Sequence, residues 1–276
     1  MFRIRILSAW VIMTMLFSAC ADWVNVSPKD EIEADKLFKS ENGFKVALIG
    51  VYSRMTLLDN YGKRLSYDYI ERLAQRYDNY DISVAPSDKT RAEIYDYKNN
   101  ANAKEDVNSV WVNQFGTIAN LNNLLYRLEH EGKDVVLTDG YWNLMKGEAL
   151  GLRAFHYFDL LRLFAPSYKA DPGYTAIPYI TKYSNKVSPQ KTVSEVIDSV
   201  IVDLKAAVTD LEGRDPIFDP LYQATTGSDM YMWTQPMPDR NEFLSYRGFR
   251  LNYYAVNALL ARVYAYKLDK KQAYDY

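Results

Sequence analysis

The chain has 276 residues, enough for one large domain or two small ones, and its composition of 48% hydrophobic and 25% charged residues is that of a globular protein. A net charge of −2 supplies no basic field to attract nucleic acid, which excludes an electrostatic nucleic-acid binder. The single cysteine excludes any disulfide within the chain. The 24 tyrosines are the unusual count. Each offers a flat apolar face with a polar tip, suited to half-buried helix packing, which should take most of them, and to stacking on sugar rings.

Residues 1–19 read as a signal peptide: Arg3 and Arg5 form a positive start, and Ile6 to Phe17 is an apolar run too short to span a bilayer. Leu16-Phe17-Ser18-Ala19-Cys20 then resembles a bacterial lipobox, with Phe17 where Leu, Val or Ile is usual. On that resemblance Cys20 becomes the acylated first residue of a mature chain of residues 20–276. Two or three acyl chains, at about 0.8 kcal/mol per buried methylene, hold a protein on a membrane without inserting it.

Ser40 is placed to cap a helix running from Gly43 through Tyr52 towards Leu58. From Asn60 to Asn108 the periodicity breaks up into a tract of Tyr, Asp and Asn around Pro86, the kind of long loop on which function tends to sit. A second helix is predicted from about Val110 to His130, with Gly132 past its end. A short connection makes it an antiparallel hairpin with the next helix.

That next helix, Tyr141 to Phe164, is the centre of the chain. Trp142, Met145, Ala149, Leu152, Phe155, Phe158 and Leu161 recur at helical spacing, and Leu150, Ala154, Tyr157, Leu160 and Phe164 leave the other face little surface for water. A helix apolar nearly all round is covered on several sides. His156 and Arg162 each lie three residues from Asp159, within reach of it. Beyond Pro166 come turns through Pro178, and Thr192 with Glu195 then opens a helix in capping-box spacing that runs to Leu211. Asp215 to Arg247 is a second irregular insert. The last predicted helix, Arg250 to Tyr266, sets alanines beside aromatics as the first helix of a tetratricopeptide-like pair, with a new helix starting at Lys271. The expected fold is all-α, a scaffold of helical hairpins carrying long loop inserts.

Glu148, Ala149, Arg153, Ala154, Phe155, Tyr157, Phe158 and Leu160 follow the run E-A-x-x-x-R-A-F-x-Y-F-x-L, and this segment resembles the SusD/RagB family. Shorter matches extend the resemblance along the chain: Phe44, Gly50 and Tyr52; Trp111, Phe115, Ile118 and Asn123; and Thr192, Glu195, Asp203, Leu204 and Ala207. The family implies a lipid-anchored outer-membrane protein of Bacteroidetes-type bacteria that binds glycan or another nutrient over a SusC-like TonB-dependent transporter. The motif itself is structural and says nothing of the ligand. Family members are considerably longer, so the resemblance implies the N-terminal portion of the fold, with the chain stopping one turn into a helix.

No family motif assigns the binding residues. Sugar capture needs aromatic faces beside polar side chains, which makes Tyr77, Asp78, Tyr80, Tyr95 and Tyr97 in the first insert, and Tyr231, Trp233 and Arg240 in the second, the candidates. His130 lies between Glu129 and Glu131 near a helix end, and His156 reads as a core histidine; neither belongs to a zinc or nucleophile motif, and no phosphate loop is present. No cofactor or metal is expected. Two alternatives stay open: a helical-repeat adaptor that binds protein, and a glycoside hydrolase, which needs only two suitably separated carboxylates.

Overall fold

The computed structural model describes residues 34–76, 101–183, 186–219, 242–244 and 246–276. Helix α1 (Ala34–Leu37) is a single turn, followed at once by α2 (Glu41–Met55). Ser40 starts α2: its backbone is extended and its side-chain oxygen accepts the N–H of Gly43 at 3.2 Å, satisfying one orphan donor of the first turn. The short α3 (Tyr69–Leu73) precedes the long α4 (Ala101–Arg127).

Sequence periodicity places the start of α4 near Val110, and the structure corrects this. Residues 101–109, ANAKEDVNS, are helical but too polar for an apolar period to register. The far end also differs. The chain leaves α4 through a π-helical turn, Leu128–Gly132, into α5 (Lys133–Val135), and Gly132 keeps a right-handed φ of −62° instead of forming a left-handed cap.

Helix α6 (Tyr141–Phe164) has the bounds its sequence predicts. At its start the indole N–H of Trp142 donates to the Leu128 carbonyl at 2.8 Å; at its end the Phe164 ring meets Trp111 with centroids 4.9 Å apart. Helices α4 and α6 are therefore antiparallel. Two strands follow, β1 (Thr175–Pro178) and β2 (Gln190–Thr192), paired antiparallel. The sequence reads only turns before Thr192, because strands this short cannot display a period of two.

Helix α7 (Val193–Leu211) opens with the expected capping box: Thr192 Oγ1 accepts the Glu195 N–H at 3.3 Å, and the Glu195 carboxylate accepts the Thr192 N–H at 2.8 Å. It crosses α6 closely at Gly147, where a Cβ would lie 2.8 Å from Leu211 Cγ and 3.1 Å from the Ala207 carbonyl oxygen. Helix α8 (Tyr253–Tyr266) begins after Asn252, whose side chain accepts the Ala255 N–H at 3.0 Å, and not at Arg250; α9 (Lys270–Asp275) then packs on α8.

One apolar core runs through α2, α4, α6, α7 and α8, with α6 packed against each of the other four. Leu144, Met145, Leu152, Phe158, Leu160 and Leu161 of α6 are all buried in it. Each such side chain contributes about 1.5–3 kcal/mol on leaving water.

Candidate functional site

The polar residues of α6 organise three buried networks that set the positions of everything around them. Glu148 is the hub of the first. Its Oε1 accepts the Tyr52 hydroxyl and Arg250 Nε, the latter at 2.8 Å; its Oε2 accepts Arg247 Nη1 at 2.7 Å and Arg250 Nη2 at 2.8 Å. Arg247 in turn forks onto Asp215 at 2.7 and 2.5 Å, and Asp215 also accepts the N–H groups of Ile217 and Tyr253. Two guanidiniums thus balance two carboxylates. Burial pushes the Glu148 carboxyl up, but Arg247, Arg250 and the Tyr52 hydroxyl outweigh it and hold the group below its ordinary value.

Arg153 centres the second network. It forks onto Asp203 of α7 with both bonds at 2.7 Å and donates to Asn122 of α4 at 2.9 Å. Asn122 passes the constraint on by donating to the Ile180 carbonyl at 2.9 Å. The Tyr157 hydroxyl donates to that same carbonyl at 3.0 Å and accepts the Ile180 N–H at 2.6 Å. Tyr179 stacks on Tyr157 at 4.0 Å and donates to Asp203 at 2.6 Å. The segment after β1 is therefore pinned to α4, α6 and α7 at once.

The third network corrects an expected pairing. His156 does not meet Asp159: its Nδ1 lies 2.5 Å from Gln114 Oε1, while Asp159 accepts the Tyr61 hydroxyl at 2.9 Å and Arg162 at 3.1 Å. Gln114 donates onward to Asn60 at 2.7 Å. His156 is fully buried, as a core histidine should be, and burial lowers its pKa to about 3. Tyr61 and Tyr69, which lie in the tract read from sequence as a functional loop, are packing residues: Tyr61 rests on Phe155, and Tyr69 is buried beside Leu65 and Val110.

The ligand candidates Tyr77, Asp78, Tyr80, Tyr95, Tyr97, Tyr231, Trp233 and Arg240, and the lipidation candidate Cys20, all lie outside the described residues. Within the described residues two grooves stand out. One, of about 460 Å³, is lined by Tyr69, Leu73, Val107, Val110, Leu163 and Phe164, between α3, α4 and the end of α6. It carries no charged side chain.

The other groove, of about 490 Å³, lies where α4 ends. Tyr126 and His130 stack there with centroids 4.0 Å apart and planes at 28°, and His130 Nδ1 sits 2.7 Å from the Tyr126 carbonyl oxygen. Tyr183, from the pinned segment, stands 6.5 Å from Tyr126. Leu125 and Leu150 contribute apolar lining, and Lys146 and Glu129 form an ion pair of 2.8 Å on the rim. The sequence places His130 only near a helix end between two glutamates, with no motif to mark it. The four-residue spacing to Tyr126 was the available signal.

Among the described residues no group of His, Cys, Asp and Glu could hold a metal ion, and no helix is long and apolar enough to cross a membrane. Glu148 and Asp215 are fully buried and saturated by arginines, so these two do not form the substrate-flanking carboxylate pair that glycoside hydrolysis requires.

The architecture is that of a helical scaffold locked by buried arginine–carboxylate pairs. Residues 23–217 match a SusD-like family described as starch-binding and associating with the outer membrane; the chain belongs to that family. A comparison with curated proteins gives no match. Among solved structures, a SusD superfamily protein from Bacteroides vulgatus superposes with a TM-score of 0.61 at 23% identity, over 86% of this chain and 45% of that one. Another from Bacteroides thetaiotaomicron gives 0.57 at 22% identity, over 86% and 44%. A protein described as a laminarin-binding SusD-like protein gives 0.53 at 18% identity, over 85% and 42%. At these identities the likeness is one of fold. The chain spans less than half the length of each of these structures.

Proposed function

We propose that this protein captures a glycan at the bacterial cell surface and passes it uncut to a SusC-like TonB-dependent transporter, held to the outer membrane by lipid on Cys20. The family match over residues 23–217 carries this reading, since the family is described by starch binding and association with the outer membrane. A laminarin-binding relative of the same fold supports a sugar as the ligand class. In this reading residues 1–19 are removed as a signal peptide, and 20–276 form the SusD-like helical portion. Binding is by stacking of aromatic faces on sugar rings, with side-chain hydrogen bonds to hydroxyls, and the insert residues around Tyr77–Tyr97 and Tyr231–Arg240 supply candidate contacts.

Two experiments test it. Metabolic labelling with a fatty acid should mark the wild-type protein and leave Cys20→Ser unlabelled and out of the membrane fraction. Affinity electrophoresis through gels containing starch or laminarin should retard the protein without releasing new reducing ends. Labelling of Cys20→Ser would remove the anchor from the account, and new reducing ends would replace capture with hydrolysis.

A further inference from the structure

The groove at the end of α4 carries a combination that the scaffold alone does not need. Tyr126 and Tyr183 are 44% and 59% exposed, although each presents a large ring to a shared concavity. Rings left in water at a concave site, above apolar Leu125 and Leu150, present the faces on which a pyranose packs. The rim adds what a sugar edge requires: the Glu129 carboxylate accepts, Lys146 and Lys182 donate, and Thr181 can do both. The Glu129–Lys146 pair cancels its own charge, and Lys182 adds a further cation to the same rim.

The groove is also preorganised. Tyr183 follows Ile180, whose N–H and carbonyl are both fixed by Tyr157 and Asn122. On the opposite wall, the π-helical turn begins directly after α4 and carries His130, which closes back onto the Tyr126 ring and carbonyl. Such turns within helices are frequent at functional sites. Arg153, also in the lining, engages Asp203 and Asn122 through all three of its nitrogens and so holds the walls. Tyr126 lies 25 residues along the helix from Ala101, about 38 Å at 1.5 Å per residue. The groove is thus at the opposite end of α4 from the point where the chain enters from the Tyr77–Tyr97 insert.

We infer that Tyr126, His130 and Tyr183 form a second saccharide subsite at the C-terminal end of α4, which takes a sugar ring by stacking. This inference rests on the glycan-binding reading above. The chain's two histidines make it directly readable, because His130 lines the groove and His156 is buried in the core. In ¹H–¹³C NMR spectra of the full chain, with His130→Asn to assign the signals, adding laminarin oligosaccharide or maltoheptaose should shift the His130 ring resonances and leave those of His156 in place. Tyr126→Ala and Tyr183→Ala should each weaken that shift-detected affinity about two- to tenfold, while Tyr126→Phe, which keeps the ring, should not. Unchanged circular dichroism and melting of these exposed-site variants secures the comparison. Retention on a polysaccharide gel with no His130 shift overturns the subsite and leaves the glycan-binding reading standing. Failure to bind any sugar by either method overturns both.

Discussion

Glu148, in the first half of α6, meets Arg247 at 2.7 Å across 99 residues of sequence, and both side chains are fully excluded from water. The pair joins the central helix to the segment that leads into α8, and Asp215 and Arg250 complete its charge balance. Glu148→Gln would leave two buried guanidiniums facing one remaining carboxylate. Breaking a buried pair in this way costs about 3–5 kcal/mol, so the midpoint of urea unfolding should fall sharply. A surface control such as Glu212→Gln should change the unfolding free energy by no more than about 0.5 kcal/mol. A Glu148→Gln midpoint equal to wild type would show that the network does not hold the fold.

Close approach of α6 and α7 depends on Gly147. Alanine is the better helix former by about 1 kcal/mol, yet its Cβ would meet Leu211 and the Ala207 carbonyl. Overpacking of this kind costs about 1–3 kcal/mol, so Gly147→Ala should be net destabilising, with a lower melting temperature than wild type. An unchanged or higher value would mean that the two helices can part without loss.

Glu41 ties α2 to the turn before α6: its carboxylate accepts the Leu137 N–H at 3.0 Å, the Thr138 N–H at 2.9 Å and the Lys45 ammonium at 2.7 Å. Burial works against the charge, but the Lys45 and Thr138 hydrogen bonds prevail and lower the pKa from 4.5 to about 2. The folded state therefore holds its proton less tightly than the unfolded chain. The stability Glu41 contributes is present in full above pH 4.5 and is lost as the pH falls towards 2. Glu41→Gln should unfold more easily than wild type at pH 6, and the gap should narrow between pH 4.5 and 2. A gap that stays constant with pH would contradict this.

His156 runs over a different range. Burial lowers its pKa from 6.5 to about 3, so the unfolded chain takes up the proton first as the pH drops. Stability is unaffected by this group above pH 6.5 and declines as the pH falls from 6.5 towards 3. The ring resonances of His156 should stay at their neutral positions from pH 8 to pH 4. In His156→Gln the stability–pH slope in this range should be shallower by up to about 1.4 kcal/mol per pH unit. Titration of His156 near pH 6.5 in the folded protein would refute its burial.

The elements that could be read from sequence are those with a strong local period or cap. Tyr141–Phe164 keeps its apolar rhythm to both ends, and Thr192 with Glu195 announces α7, so both were legible to the residue. The first turns of α4 were not, because Ala101 to Ser109 has almost nothing apolar to repeat; tertiary packing of the later turns carries them. The networks were hidden for another reason. Glu148 sits among Leu144, Leu150 and Leu152, which signals a distant partner without naming it, and Arg247 and Arg250 come from beyond a long insert. His156 pairs with Gln114 of the facing helix instead of Asp159 on its own, since a buried ring points across the interface and not along the surface. The Tyr126–His130–Tyr183 groove needs residues from two separate segments, whereas composition points to the tyrosine-rich inserts.

The function proposed for this protein is capture of a glycan without chemistry. Calorimetric titration of the protein with soluble starch and laminarin fractions, followed by assay of the same samples for reducing ends, tests it most directly. Saturable heat with at least one polysaccharide, and no increase in reducing ends, is the expected result. A folded protein that gives no heat with any polysaccharide, or one that cleaves what it binds, would contradict it.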